Sequence, residues 1–363
     1  MIIKRIKLEN FRNYDHEMIS LAPKINIFWG ANGQGKTNIL EGIYYLATGK
    51  PYRTQREEEL INWNKDNFHL YGDFIITKQL ISLESHYQNK VKIVKINKVP
   101  CRRLSEYVGI INIVFFSPDD LVMIKGGPSE RRRFLDLHIA QLKPGYISLL
   151  NSYNQVLQQK NALLKSHFSD SKRFQLQLWN EQLCELGNKI LARRWEFTEQ
   201  LNDLTRKIYQ DISAQKENLF ITYLPLGFKN LEEAKQKYPI LLEEKLDHEI
   251  ERKTASIGPQ RDDIEITLDY KSARHFASQG QQRSIVLSLK LAQLEVVKKT
   301  KGEYPILLLD DVLSELDNFR RQYLLEFIQA TTIQTVMTIT SADNPPPEAE
   351  LFRVEHGTVR RDK

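Results

Sequence analysis

The chemistry of this chain begins at residues 30 to 37, Gly30-Ala-Asn-Gly-Gln-Gly-Lys36-Thr37, where two glycines four positions apart are closed by lysine and threonine. This spacing suits a polyphosphate. Gly30, Ala31, Asn32, Gly33, Gln34 and Gly35 offer backbone N–H groups that can surround phosphate oxygens, Lys36 offers a cation for the terminal phosphates, and Thr37 offers a hydroxyl for Mg²⁺. The segment follows an apolar run, Lys24 to Trp29, and opens one of helical period, Thr37 to Ala47. A helix N-terminus therefore adds its partial positive charge at the loop. A chance glycine-rich turn is the alternative, and the strand and helix on either side weigh against it.

A second group lies far downstream. Tyr304-Pro-Ile-Leu-Leu-Leu-Asp310-Asp311 is an apolar strand ending in two carboxylates. Asp310 is expected to hold the metal directly or through water, and Asp311 stands where a carboxylate orients or deprotonates an attacking water. Alone, an apolar strand with an acidic turn is a common structural feature. Between the two groups, Ser278-Gln-Gly-Gln-Gln-Arg283 precedes an apolar helix ending near Lys298, which by itself reads as an N-cap. The order changes that reading. Phosphate loop, Ser-x-Gly-Gln before a helix, acidic strand and then Ser314-Glu-Leu-Asp317 is the sequential layout of ATP-binding-cassette ATPases.

Asn32 in the loop, the opening Asn10-Phe-Arg-Asn-Tyr14, and Leu309-Asp-Asp-Val-Leu-Ser-Glu-Leu-Asp317 look like the SMC-related ATPases. More narrowly, Phe116-Ser-Pro-Asp-Asp-Leu121, Gly126-Gly-Pro-Ser-Glu-Arg-Arg-Arg-Phe-Leu-Asp136 and Gly258-Pro-Gln-Arg-Asp-Asp263 resemble the bacterial RecF family, over essentially the whole chain. The resemblance implies ATP and Mg²⁺ as cofactors, with Lys36 and Asp311 as catalytic residues. It also implies a head-to-head, ATP-dependent homodimer in which Ser278, Gly280 and Gln281 of one copy meet nucleotide held by the other, with Asp317 near the same interface. Arg12, and Asn13 beside it, are implied nucleotide contacts; a solvated strand end is the plain alternative. Double-stranded and gapped DNA, partners of the RecO and RecR kind, and recombinase loading at gaps come from the resemblance alone.

Two departures from transporter cassettes bear on rate. No clear glutamine loop lies near Phe116 to Asp120, and Thr340 or Ser341 follows the strand Thr335 to Ile339 where transporters carry a histidine. Asp311 is one methylene shorter than the usual glutamate. A slow timer or clamp, weakly stimulated by DNA, is expected rather than a fast motor. A transporter ATPase is disfavoured by the missing histidine, and an SMC-like nuclease by the roughly fifty residues after Asp311. Another SMC-like assembly or clamp protein stays as the alternative.

These residues need a scaffold, and the sequence supplies an α/β one. The expectation is an SMC-type ATPase head, a mixed sheet plus an antiparallel meander at 70–77, 80–87 and 91–99, with an inserted, mainly helical lobe. The boundaries read as 1–117 and 250–363 for the head and 118–249 for the lobe, whose helices cover 147–165, 173–212 and 231 to about 255. Lysine and arginine number 52 against 46 acidic residues, a net +6 that fits an anionic partner without demanding one. With no helix-turn-helix or finger motif, DNA contact should run through phosphates. Arg131, Arg132 and Arg133, in an expected first helical turn, face either an anionic ligand or chain carboxylates such as Asp119, Asp120 and Asp136. The two cysteines, Cys101 and Cys184, form no metal or disulfide pattern, and no run suits a signal peptide or a membrane span, so a cytoplasmic protein is expected.

Overall fold

The computed structural model describes residues 1–166, 170–341, 345–346 and 348–362. Up to residue 120 the elements are β1 (Ile2–Phe11), β2 (Tyr14–Ser20), β3 (Ile25–Trp29), α1 (Lys36–Thr48), β4 (Asn67–Ile76), β5 (Gln79–Gln88), β6 (Val91–Ile96), β7 (Val99–Pro100) and β8 (Ile113–Phe116). Next come α2 (Val122–Lys125), α3 (Pro128–Leu142), α4 (Tyr146–Lys165), α5 (Asp170–Ile212), β9 (Leu219–Leu224), α6 (Leu231–Glu244), α7 (Leu246–Arg252), β10 (Asp263–Leu268), β11 (Lys271–Ser272), α8 (Ala273–Phe276) and α9 (Gln279–Lys301). The chain ends with β12 (Ile306–Asp310), α10 (Val312–Glu315), α11 (Asn318–Ala330), β13 (Thr335–Ile339), β14 (Ala349–Glu355) and β15 (Thr358–Arg361).

Two compact units result, residues 1–120 with 290–363, and residues 121–289. In the first, an antiparallel sheet of order β2-β1-β4-β5-β6-β7 and a mixed sheet of order β15-β14-β3-β13-β12-β8 enclose α1. The strands from β14 to β8 run parallel, and only β15 is antiparallel to its neighbour. Because helices cover parallel sheets, these strands read as apolar runs, such as the buried Ile306 to Leu309. Helix α1 is buried nearly all round, which explains why its apolar residues do not keep to one stripe. At Gly42 a Cβ would meet Leu8 Cδ2 at 2.8 Å, so glycine lets α1 and β1 approach. The meander turns are two-residue loops with both φ values positive, Thr77-Lys78, Asn89-Lys90 and Asn97-Lys98. Such loops match the twist of a hairpin. The last of them divides 91–99, read from the sequence as one strand, into β6 and β7.

In the second unit, α5 runs 43 residues, about 64 Å at the usual helical rise, with α4, α6 and the small sheet β11-β10-β9 against it. Residues 250–289, assigned from the sequence to the head, cluster with this unit because β10 pairs along its whole length with β9. The helix expected from 231 to about 255 is two, α6 and α7. Arg131 pairs with Asp263 at 2.6 Å, and Arg132 donates to Asp262 O at 2.8 Å within the field of Asp262, Asp263 and Asp136, so these two arginines serve the chain's own carboxylates. Among the described residues no helix is long and apolar enough to cross a membrane. Cys101 and Cys184 are free thiols.

Candidate functional site

The residues from Gly30 to Gly35 bridge β3 and α1 at the carboxyl end of the parallel sheet, and the strand order places β13 between β3 and β12. Ligands of open α/β sheets collect at this edge. Gly30, Gly33 and Gly35 all take positive φ. At Gly35, φ is 112° and a Cβ would lie 2.4 Å from the Asn13 amide, so neither the backbone nor the neighbour tolerates a side chain.

Lys36, only 7% exposed, turns its ammonium into the loop, donating to Gly30 O at 2.7 Å and Ala31 O at 2.9 Å. Burial holds its pKa below the ordinary lysine value, and the negative charges of Asp311 and Asp310 oppose that shift. Thr37 donates through Oγ1 to Asp310 Oδ1 at 2.8 Å, closing 273 residues of sequence into one site. Thr338, which the sequence reading did not select, donates to the same oxygen at 2.8 Å and accepts from the Asp311 N–H at 2.9 Å. Asp311 sits at φ 52°, a left-handed position that aspartate tolerates better than most residues.

The hairpin tip between β1 and β2 flanks the loop. Asn13 donates to Gln34 O at 2.9 Å and accepts from Asn38 at 2.8 Å, and Tyr14 donates to Gly35 O at 3.0 Å. Burial raises the Tyr14 pKa, so its hydroxyl keeps the proton it donates. Arg12, also with positive φ, makes a forked contact to the fully buried Glu41 at 2.9 and 3.1 Å and donates to Glu59 O at 2.7 Å. Arg53 reaches Glu41 as well, at 2.7 Å. Burial pushes the Glu41 carboxyl up, but hydrogen bonds from Arg12 and Arg53 outweigh it and leave the pKa below the ordinary value. Glu41 and Arg53 were not singled out from the sequence; a glutamate inside an otherwise apolar helix was the available signal. Beside the loop lies a cavity of 710 Å³ walled by Arg12, Asn13, Asn38, Arg53 and Trp63, the last 90% exposed.

Ser278, Gly280 and Gln281 lie in the second unit at the start of α9. The Ser278 N–H donates to Gln281 Oε1 at 2.7 Å, and the Gln281 N–H donates to Ser278 Oγ at 3.2 Å, a reciprocal capping box. Gln281 Nε2 also donates to Glu217 at 2.6 Å. Ser278 is exposed, and its hydroxyl, an acceptor in the box, still carries a proton to donate. Asp317 caps α11 by accepting from the Arg320 N–H at 2.9 Å. Asp120, in the first unit, pairs with buried Lys290 at 2.6 Å and accepts from the Ser117 N–H at 2.7 Å, a structural use.

The shared role of Thr338 gives a test of the site's rigidity. Thr338→Val leaves the Asp311 N–H without its acceptor and removes a donor from Asp310, at a cost of about 1–3 kcal/mol. The expected outcome is a lower urea midpoint for the first unit, restored by Thr338→Ser. A valine variant as stable as the parent would show that the bridge holds nothing in place.

Comparison with known proteins places this geometry in a family. The RecF/RecN/SMC N terminal domain model matches residues 2–355. A DNA replication and repair protein RecF from Desulfitobacterium hafniense is 58% identical over 364 residues, covering 99% of this chain and all of the relative. A solved structure of the recombination mediator protein RecF with ATP, of the RecFOR pathway, superposes with a TM-score of 0.92 at 31% identity, covering 100% of this chain and 98% of the other. An Smc head bound to the C-winged helix domain of ScpA shares the fold, with a TM-score of 0.59 at 16% identity over 100% of this chain and 97% of that one. The chain belongs to the RecF family of DNA replication and repair proteins.

Proposed function

We propose that this protein is an ATP-dependent switch of DNA replication and repair, in which bound ATP joins two copies on DNA and slow hydrolysis separates them. One observation carries the reading: the Thr37 hydroxyl and the Asp310 carboxylate stand 2.8 Å apart, beside Lys36 and the N-terminus of α1. The backbone N–H groups from Ala31 to Thr37 and the ammonium of Lys36 bind the triphosphate, and Asn13 with Tyr14 steadies the loop from its flank through Gln34 O and Gly35 O. The cavity walled by Arg12, Asn38 and Trp63 takes the nucleoside end.

Mg²⁺ fits these residues. The Thr37 hydroxyl and the Asp310 carboxylate, hydrogen-bonded at 2.8 Å, are hard oxygen donors of the kind this ion takes. Thr37 and Asp310 would hold it, and it would supply charge for the phosphates. Asp311, kept at a fixed angle by its N–H to Thr338, orients or deprotonates the attacking water. Its short side chain and the lack of a histidine after β13 agree with a weak ATPase, which we take to be stimulated by DNA.

Across the dimer, Ser278 and the N–H groups of Gln279 and Gly280 contact the partner's γ-phosphate, with Gln281 holding the serine through the capping box. DNA, double-stranded or gapped, is bound through its phosphates, as the net charge of +6 favours, with RecO- and RecR-type proteins as partners in the cytoplasm. The test is analytical ultracentrifugation with ATP, ADP or neither, repeated with duplex and gapped DNA. Ser278→Arg is expected to keep ATP binding and lose ATP-induced dimerisation. Normal dimerisation of that variant would sink the trans arrangement.

A further inference from the structure

We propose that the groove between α5 and α6 of the second unit docks an arginine-bearing, amphipathic segment of a partner protein. The groove has a volume of 610 Å³ and lies within one compact unit. On α5, Phe174 and Leu178 are one turn apart, 64% and 42% exposed, forming an apolar ledge that a monomer gains nothing by displaying. Glu181, Glu185 and Glu243 share the lining, a local concentration of negative charge in a chain whose net charge is +6. Glu185 pairs with the exposed Lys189, and Glu243 accepts from the Gln177 amide, with Arg173 near enough to feel its charge, while all of these contacts lie at the exposed surface.

The polar atoms specify the occupant further. Asn180 is 6% exposed, and its Nδ2 donates at 3.2 Å to Leu242 O, in the last turn of α6, where carbonyls lack helical donors. That bond fixes the amide's orientation and leaves Oδ1, a buried acceptor, with no partner among the described residues. Asn188, also in the lining, repeats the pattern: Nδ2 faces the weak acceptor Cys184 Sγ at 3.6 Å, and Oδ1 is buried without a partner. Acceptors and carboxylates together call for N–H donors carrying positive charge. Arginine offers five such donors on a stem that packs against apolar ledges, and an amphipathic helix laid in a groove presents it with leucine-like anchors.

The experiment uses the full chain and a fluorescein-labelled, roughly four-turn helical peptide of arginine, leucine and alanine, with a sibling carrying glutamate at every arginine. Fluorescence anisotropy at near-physiological salt is expected to show saturable binding of the arginine peptide, and binding of the sibling weaker by about tenfold or more. Glu181→Lys and Phe174→Ser, both at exposed positions, are each expected to weaken the arginine peptide by about tenfold while ATP affinity is unchanged. Asn180→Leu is expected to weaken it too. Equal binding of the two peptides, or retention of the arginine peptide by both exposed variants, would overturn the proposal. A nucleotide-independent dimer that Phe174→Ser dissolves would also overturn it, by giving the groove to a second copy.

Discussion

Lys36→Ala is expected to weaken ATP binding by roughly 100-fold or more, a loss of about 3 kcal/mol, as follows when a phosphate site gives up a charge-assisted donor. The ammonium is the side-chain cation that the loop encloses, and it donates to two of the loop's own carbonyls. It is held there against burial, which lowers its pKa, with Asp311 and Asp310 opposing. A triphosphate is expected to draw the ammonium off the carbonyls of Gly30 and Ala31 and to supply the negative charge that a buried cation favours. Lys36→Arg should not rescue, because a planar, forked guanidinium cannot fit where a compact ammonium touches two adjacent carbonyls. Titration with a fluorescent ATP analogue measures the loss directly, and sedimentation with ATP should show the variant remaining monomeric. An unchanged affinity would remove the phosphate loop from the account and leave the fold without its ligand.

The phosphate loop was legible because everything it needs is local. Gly30, Gly33 and Gly35 need positive φ, Lys36 and Thr37 follow at once, and strand and helix announce themselves by period. Asp310 was legible only through its pairing with that loop, since an acidic strand end has no meaning by itself. Thr338 was invisible. It is one polar residue in the apolar Thr335 to Ile339, and it acquires its role only when the parallel register sets it opposite Asp310. Strand order made that register, and strand order is a property of the whole sheet. The β8, β14 and β15 strands escaped for a related reason: short apolar or mixed runs carry too little period to declare themselves, and their pairing partners are remote. Ser278 shows the opposite case. The N-cap reading and the signature reading both attach to the same serine, because a capping box leaves an exposed hydroxyl at a helix tip.

The same logic of remote partners governs the second unit, where Arg194→Leu should have the largest effect on stability. The buried guanidinium binds Asp136 at 3.0 and 2.9 Å, Asp262 at 3.2 Å and Pro259 O at 2.6 Å. Asp262 in turn accepts from the Leu226 N–H at 2.8 Å and from the Tyr223 hydroxyl. Removing one member of such a cluster strands the others, at about 3–5 kcal/mol, whereas replacing every charged member together would cost far less. The loss should also depend on pH. Burial pushes the Asp262 pKa up to about 6 although Arg194 works against it. An acid raised above its unfolded value, about 3.9, favours the folded state when protonated, so its contribution is complete at low pH and fades as pH climbs through the folded pKa. Without Arg194 that pKa rises further, and the decline extends into the neutral range. Urea unfolding followed by the fluorescence of Trp179 and Trp195, both on α5, should therefore show a larger deficit at pH 8 than at pH 5. A deficit equal at both values would mean that the leucine variant has relaxed to admit water around Asp262, and that the cluster sets the geometry of the Gly258 to Asp263 corner without storing charge there.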